Sequence, residues 1–91
     1  MATQNYYLTN TPTDIVTELS LTAGTYYYGR FVGPGEAVMR VLEATEAPDV
    51  MDAEALPVRS FGDITILPDG IQSIYCWTRE GGGRLVVNEG E

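Results

Sequence analysis

The sequence predicts an all-β fold, a small antiparallel β-sandwich or partly open barrel of about seven short strands. Three observations carry that reading. Apolar residues recur mostly at every second position rather than every third or fourth. β-Branched and aromatic residues fill runs of strand length. Turn-forming residues separate those runs at intervals of roughly ten residues.

In chain order, "NYYLT" (Asn5 to Thr9) reads as a weak first strand, with residues 1–10 otherwise an extended N-terminal arm. "DIVTELSL" alternates, placing Ile15, Thr17, Leu19 and Leu21 on one side of a second strand. After the turn at Thr22 to Gly24, "TYYYGRFV" forms a third, and "VGPGE" sets Pro34 and Gly35 at the centre of a type II turn. "AVMRVLEA" then opposes Met39 and Val41 to Val38, Arg40 and Leu42. Residues 43–57, "EATEAPDVMDAEALP", break the rhythm as a long acidic connection. It is expected to hold one helical turn after Pro48 and to pass from one sheet to the other. "DITIL" alternates again, and "PDGI" is a tight reversal ending in a left-handed glycine. "IQSIYCWTR" and "RLVVNE" are the last two strands, joined by "EGGGR" as a glycine-rich hairpin.

Composition narrows the function. One domain of 91 residues, spanning 1–91, buries a thin core and has little room for an enclosed cleft. Thirteen acidic residues stand against five arginines, with no lysine or histidine, for a net charge of −8. Such a surface repels phosphate backbones and anionic lipid, so neither nucleic acid nor a membrane is an expected partner. The apolar runs are too short to span a bilayer, and the start of the chain lacks the basic and apolar regions of a signal peptide. The lone Cys76 excludes an intrachain disulfide, which suits a reducing cytoplasm.

Catalysis finds few tools here. Without histidine the usual proton shuttle near neutral pH is missing, and without lysine there is no Schiff-base nucleophile. Cys76, between Tyr75 and Trp77 in an apolar strand, reads as a small hydrophobe. Glu46, Asp49, Asp52 and Glu54 supply hard oxygens in one loop. They lack the alternating donors and central glycine of a calcium loop, so a solvated loop is the simpler reading. No enzyme activity, cofactor or metal is expected.

The aromatics are more informative. Strand alternation puts Tyr27 and Phe31 on one face and Tyr26, Tyr28 and Arg30 on the other. Because Phe31 is the harder to expose, Tyr27 and Phe31 are assigned inward. If Ile74 and Cys76 line the core, Trp77 also lies on an outer surface. Two readings stand for these outward aromatics: ordinary cross-strand packing, or a contact surface rich in the residue types of binding hot spots.

The ordered series "PTDIVTELSLTAGTYYYGRFVGPG…VMRVLEATEAP", then "ITILPDGIQSIYCWTREGGGRLVVNE", resembles small β-rich proteins encoded among the structural genes of tailed bacteriophages. The likeness covers nearly the whole chain. It implies a virion component: a head-decoration (cement) protein that binds the major capsid protein, or a head-fibre, neck or tail accessory. The chain has no collagen-like or coiled-coil stalk, which favours a compact decoration domain. The resemblance implies assembly in the host cytoplasm, a place on the outer capsid surface, and a homo-oligomer such as a trimer on a shell threefold axis. It carries no residue-level site. The expected contacts are therefore those of the outward aromatics, Tyr26, Tyr28, Arg30 and Trp77, with Tyr6 and Tyr7 of the N-terminal arm. A carbohydrate-binding or host-adhesion module, its tyrosines stacking on sugar rings, is the alternative.

Overall fold

The computed structural model describes residues 3–42, 47–79 and 81–89. Among them run eight strands and one helical turn: β1 (Gln4–Tyr7), β2 (Thr13–Asp14), α1 (Ile15–Glu18), β3 (Tyr27–Val32), β4 (Glu36–Leu42), β5 (Leu56–Arg59), β6 (Asp63–Ile66), β7 (Ser73–Thr78) and β8 (Arg84–Glu89). Two four-stranded antiparallel sheets result, sheet A in the order β1-β8-β3-β6 and sheet B in the order β2-β7-β4-β5. The all-β sandwich expected from periodicity is the observed fold, with eight strands in place of seven. Among successive strands, β4 and β5 alone are also neighbours in one sheet, and every other connection passes from sheet to sheet. This is the jelly-roll arrangement of two interlocked Greek keys.

Alternation decides which side chains fill the space between the sheets. Tyr27 and Phe31 point inward from β3, Leu85 and Val87 from β8, and Ile66 from β6. Sheet B answers with Ala37, Val58, Ile74 and Cys76. Tyr27 and Phe31 are 4% and 0% exposed. The tyrosine triplet therefore divides as its period requires. The Tyr27 hydroxyl accepts a hydrogen bond from the Thr22 backbone N–H (2.8 Å), so a polar tip is satisfied at the end of an apolar body. Gly35 and Gly70 have φ of 72° and 81°, the left-handed conformation both turns call for.

Four expectations change. "DIVTELSL" is not a strand: after Asp14 the chain makes α1. The Asp14 carboxylate accepts from the Val16 N–H (3.1 Å) and from the Thr17 hydroxyl (3.0 Å), which caps the helix start. Ile15 and Leu19, both buried, are four apart. That spacing keeps two residues on one side in a strand and in a helix alike, so alternation alone did not separate them. The acidic connection forms no helical turn after Pro48 within residues 47–55 and returns to the same sheet, where β5 begins at Leu56. Pro57 hid that strand, since proline is tolerated only at sheet edges, which is where β5 lies.

"EGGGR" joins no hairpin, because β7 and β8 belong to different sheets. Gly81, Gly82 and Gly83 all have φ between 82° and 90° and carry the chain across the sandwich edge. The first strand read from "NYYLT" is present as β1, with Gln4–Tyr7 paired to β8 and Leu8 3% exposed in the core.

Candidate functional site

The two outer faces of the sandwich differ in what covers them. On sheet B, Val38, Tyr75 and Trp77 form a second apolar cluster, and Leu42, Val50 and Ala55 pack over it. The acidic connection is what supplies that lid. Its Val50 carbonyl accepts from the Trp77 indole N–H (2.9 Å) and from Arg79 Nε (3.0 Å), and the Asp52 carbonyl accepts from Arg79 Nη2 (2.8 Å). Arg40 on β4 pairs with Asp52 (2.6 Å) and Glu54 (2.8 Å). The acidic loop is thus fastened by two arginines and a tryptophan to the sheet beneath it.

Sheet A has no such lid among the described residues. Its outer face carries Tyr28, Arg30 and Val32 from β3, with Arg84, Val86 and Asn88 paired beside them on β8. Tyr7 of β1 lies opposite Arg84, and Asp63 of β6 lies opposite Arg30. Tyr7 and Tyr28 are 71% and 54% exposed. Together with Phe61, β3, β6 and β8 border an open groove of about 680 Å³. Arg30 and Asp63 form a two-pronged pair, Nε to Oδ1 at 2.8 Å and Nη2 to Oδ2 at 3.2 Å. Chiefly through that hydrogen bond, Arg30 holds the Asp63 carboxyl below its ordinary range and is itself pushed up. Two of the chain's five arginines stand in the groove beside one acid, against the −8 of the whole.

Phe61 reaches this face by an unusual route. Its N–H donates to the Phe31 carbonyl (2.6 Å), and the Phe31 N–H donates to the Gly62 carbonyl (3.3 Å). Two residues thus oppose one, a β-bulge that re-aims the chain at the edge of the sheet. Phe61 has φ of 60° and is 66% exposed. A bulky residue held left-handed costs free energy, and burial does not compensate for it here. Strain at an exposed aromatic is the type of local conflict that marks contact sites.

The structure brings Tyr7, Tyr28 and Arg30 onto this single face, with Tyr26, 51% exposed, just ahead of β3. It does not bring Tyr6 or Trp77 there. Tyr6 is half-buried and packs against the central core. Trp77 does sit on the outer side of its sheet, as alternation requires, yet it is 0% exposed because the connection folds over it. Neither side chain stands on an open surface: the connection covers Trp77, whereas the pleat of β1 turns Tyr6 inward opposite Leu85. Sequence reasoning missed Arg84, Val86 and Phe61. The first two were readable from the alternation of "RLVVNE", once β8 is known to lie beside β3; Phe61 has no local signal.

Cys76 is buried in β7, and two acids of the connection are paired. Burial pushes the Cys76 thiol up to about 12, which leaves little nucleophilic thiolate near neutral pH. Asp52 and Glu54 of the acidic loop are engaged by Arg40, and Glu46 lies outside the described residues. Among the described residues no group of three or more acidic or cysteine side chains is placed to hold a metal ion. Comparison with family models, with curated proteins and with solved structures finds no match.

Proposed function

We propose that this chain is a structural virion protein of a tailed bacteriophage that decorates and reinforces the capsid by binding the major capsid protein through the outer face of sheet A. The observation that carries the binding role is the exposed pair Tyr28 and Phe61 around Arg30, with exposed Tyr7 beside Arg84, on the sheet face that the acidic connection leaves open. Tyrosine and arginine are residues that dominate binding energy when a partner excludes water from them. The virion role rests on the full-length resemblance to small phage structural proteins. On a shell, modest contacts repeated over many copies supply firm attachment.

Paired substitutions test the face. Tyr28→Ala is expected to lower occupancy on purified shells at least tenfold while shifting the unfolding midpoint little, since the side chain is already half in water. Phe61→Gly is expected to lower occupancy while raising stability by about 1 kcal/mol, because glycine adopts the left-handed conformation without strain. Cosedimentation with shells and urea unfolding measure the two effects. Unchanged occupancy in both variants would count against this face.

A second reading is a carbohydrate-binding or host-adhesion module. It is favoured by the groove itself, where Tyr28 and Phe61 offer ring faces and Arg84 and Asn88 offer hydrogen-bonding groups. Retention on glycan beads that is lost in Tyr28→Ala, with shell occupancy unaffected, would select it. A neck or tail accessory role differs from the first reading only in the virion protein bound.

A further inference from the structure

Four strands form the edges of the two sheets: β1 and β6 in sheet A, β2 and β5 in sheet B. Exposed edges invite pairing with other chains, and proteins blunt them with short strands, charges, prolines or bulges. Three of the four are blunted here. β2 is two residues long and leads directly into α1. β5 carries Pro57 and Arg59. β6 opens on the Phe61–Gly62 bulge and bears Asp63. β1, four residues long like β5 and β6, carries no charge, proline or bulge in Gln4, Asn5, Tyr6 and Tyr7.

The direction of its free backbone groups follows from one bond. The Leu8 N–H donates to the Gly83 carbonyl (3.0 Å), which extends the β1–β8 register by one pair. Antiparallel ladders alternate between bonded and non-bonded pairs. Tyr6 and Gln4 therefore bond to β8, while the N–H and C=O groups of Asn5 and Tyr7 point to the open edge. These four groups match their own copy. In a two-fold antiparallel register centred on Tyr6, Asn5 of each chain faces Tyr7 of the other, and each such pair exchanges two backbone hydrogen bonds.

We infer that β1 pairs with β1 of a second copy, joining two A sheets into one eight-stranded sheet. Charge opposes a second copy least at this edge. Two chains of net charge −8 repel wherever their acids meet. The β1 edge bears no acid, and the β8 residues paired with it, Arg84 to Val87, add only the positive Arg84. Pairing there also places both outer faces, each with its Tyr7 and Tyr28, on one side of a continuous sheet. The inference does not depend on which partner that side binds.

Sedimentation equilibrium of the full chain over a concentration series tests it. The expected mass rises towards twice the 9.9 kDa of one chain. Asn5→Pro removes the N–H at the open edge and leaves the bonds of Gln4, Tyr6 and Leu8 to β8 intact. It is expected to halve the high-concentration mass while the circular dichroism spectrum stays that of the folded chain. Should Asn5→Pro disturb folding, charge pairs report instead. Asn5→Lys with Tyr7→Lys sets like charges opposite each other and should abolish the dimer, whereas Asn5→Lys with Tyr7→Glu should restore it in a salt-sensitive form. A wild-type chain that stays monomeric or forms trimers, a folded Asn5→Pro chain that still dimerises, or two charge variants that behave alike would overturn the inference.

Discussion

Trp77→Ala is expected to cost about 3–5 kcal/mol of unfolding free energy, the usual range for removing a fully buried aromatic. The side chain is 0% exposed and sits between sheet B and the connection that covers it. Its loss opens a cavity under Val50 and strips that carbonyl of its indole donor. A small domain has a total stability of about 5–15 kcal/mol, so the variant stands near the edge of folding. Urea unfolding should show its midpoint lowered by roughly 2 M or more, at a slope of about 1–2 kcal/mol/M. Trp77→Phe keeps most of the volume and should cost only about 1 kcal/mol, the net worth of one hydrogen bond. A Trp77→Ala chain as stable as Trp77→Phe would mean that the connection does not bury this side chain in solution.

Gly83→Ala is the second large effect, and its neighbours supply the control. All three glycines of the crossing are left-handed, so alanine at any of them carries a backbone penalty of roughly 1–2 kcal/mol. At Gly81 and Gly82 an added methyl meets nothing within 4 Å. At Gly83 it lands 2.6 Å and 2.8 Å from two ring carbons of Phe31, a ring that is itself 0% exposed. Overpacking of that kind adds about 1–3 kcal/mol. The expected total is about 3 kcal/mol for Gly83→Ala, against about 1 kcal/mol for Gly82→Ala. Equal costs at the two positions would show that the crossing does not press on Phe31.

These two sites also mark where sequence reasoning stops. Alternation set Tyr27 and Phe31 against Tyr28 and Arg30, and Ile74 and Cys76 against Trp77, because each is a statement about one strand and its own pleat. What lies above a face is a different matter. Trp77 faces out of its sheet, and only a loop some twenty-five residues earlier, fastened by Arg40 and Arg79, decides that it meets no water. The glycine run was similarly ambiguous. Three left-handed residues suit a tight reversal and a crossing equally, and the choice depends on whether β8 pairs with β7 or with β1 and β3. Ile15 and Leu19 failed for a third reason, since two periods coincide at a spacing of four. The candidate face was visible in part: Tyr28 and Arg30 came from one strand's alternation, whereas Arg84, Val86 and Phe61 join them only through long-range pairing and a bulge.

The two outer faces express a single difference in design. Sheet B spends its acidic connection on covering its own aromatics, so that Trp77 and Tyr75 serve stability. Sheet A leaves its aromatics in water and keeps Phe61 in a strained conformation beside them.

The proposed virion role and the sheet A contact are both read out by cryo-electron microscopy of phage particles that contain this chain. The expected density places this domain on the outer capsid surface, with the Tyr28 and Phe61 face of sheet A turned against the major capsid protein and the acidic connection turned to solvent. A particle without this domain on its capsid surface, or one in which the connection over sheet B makes the contact and the sheet A face stays open, would contradict it.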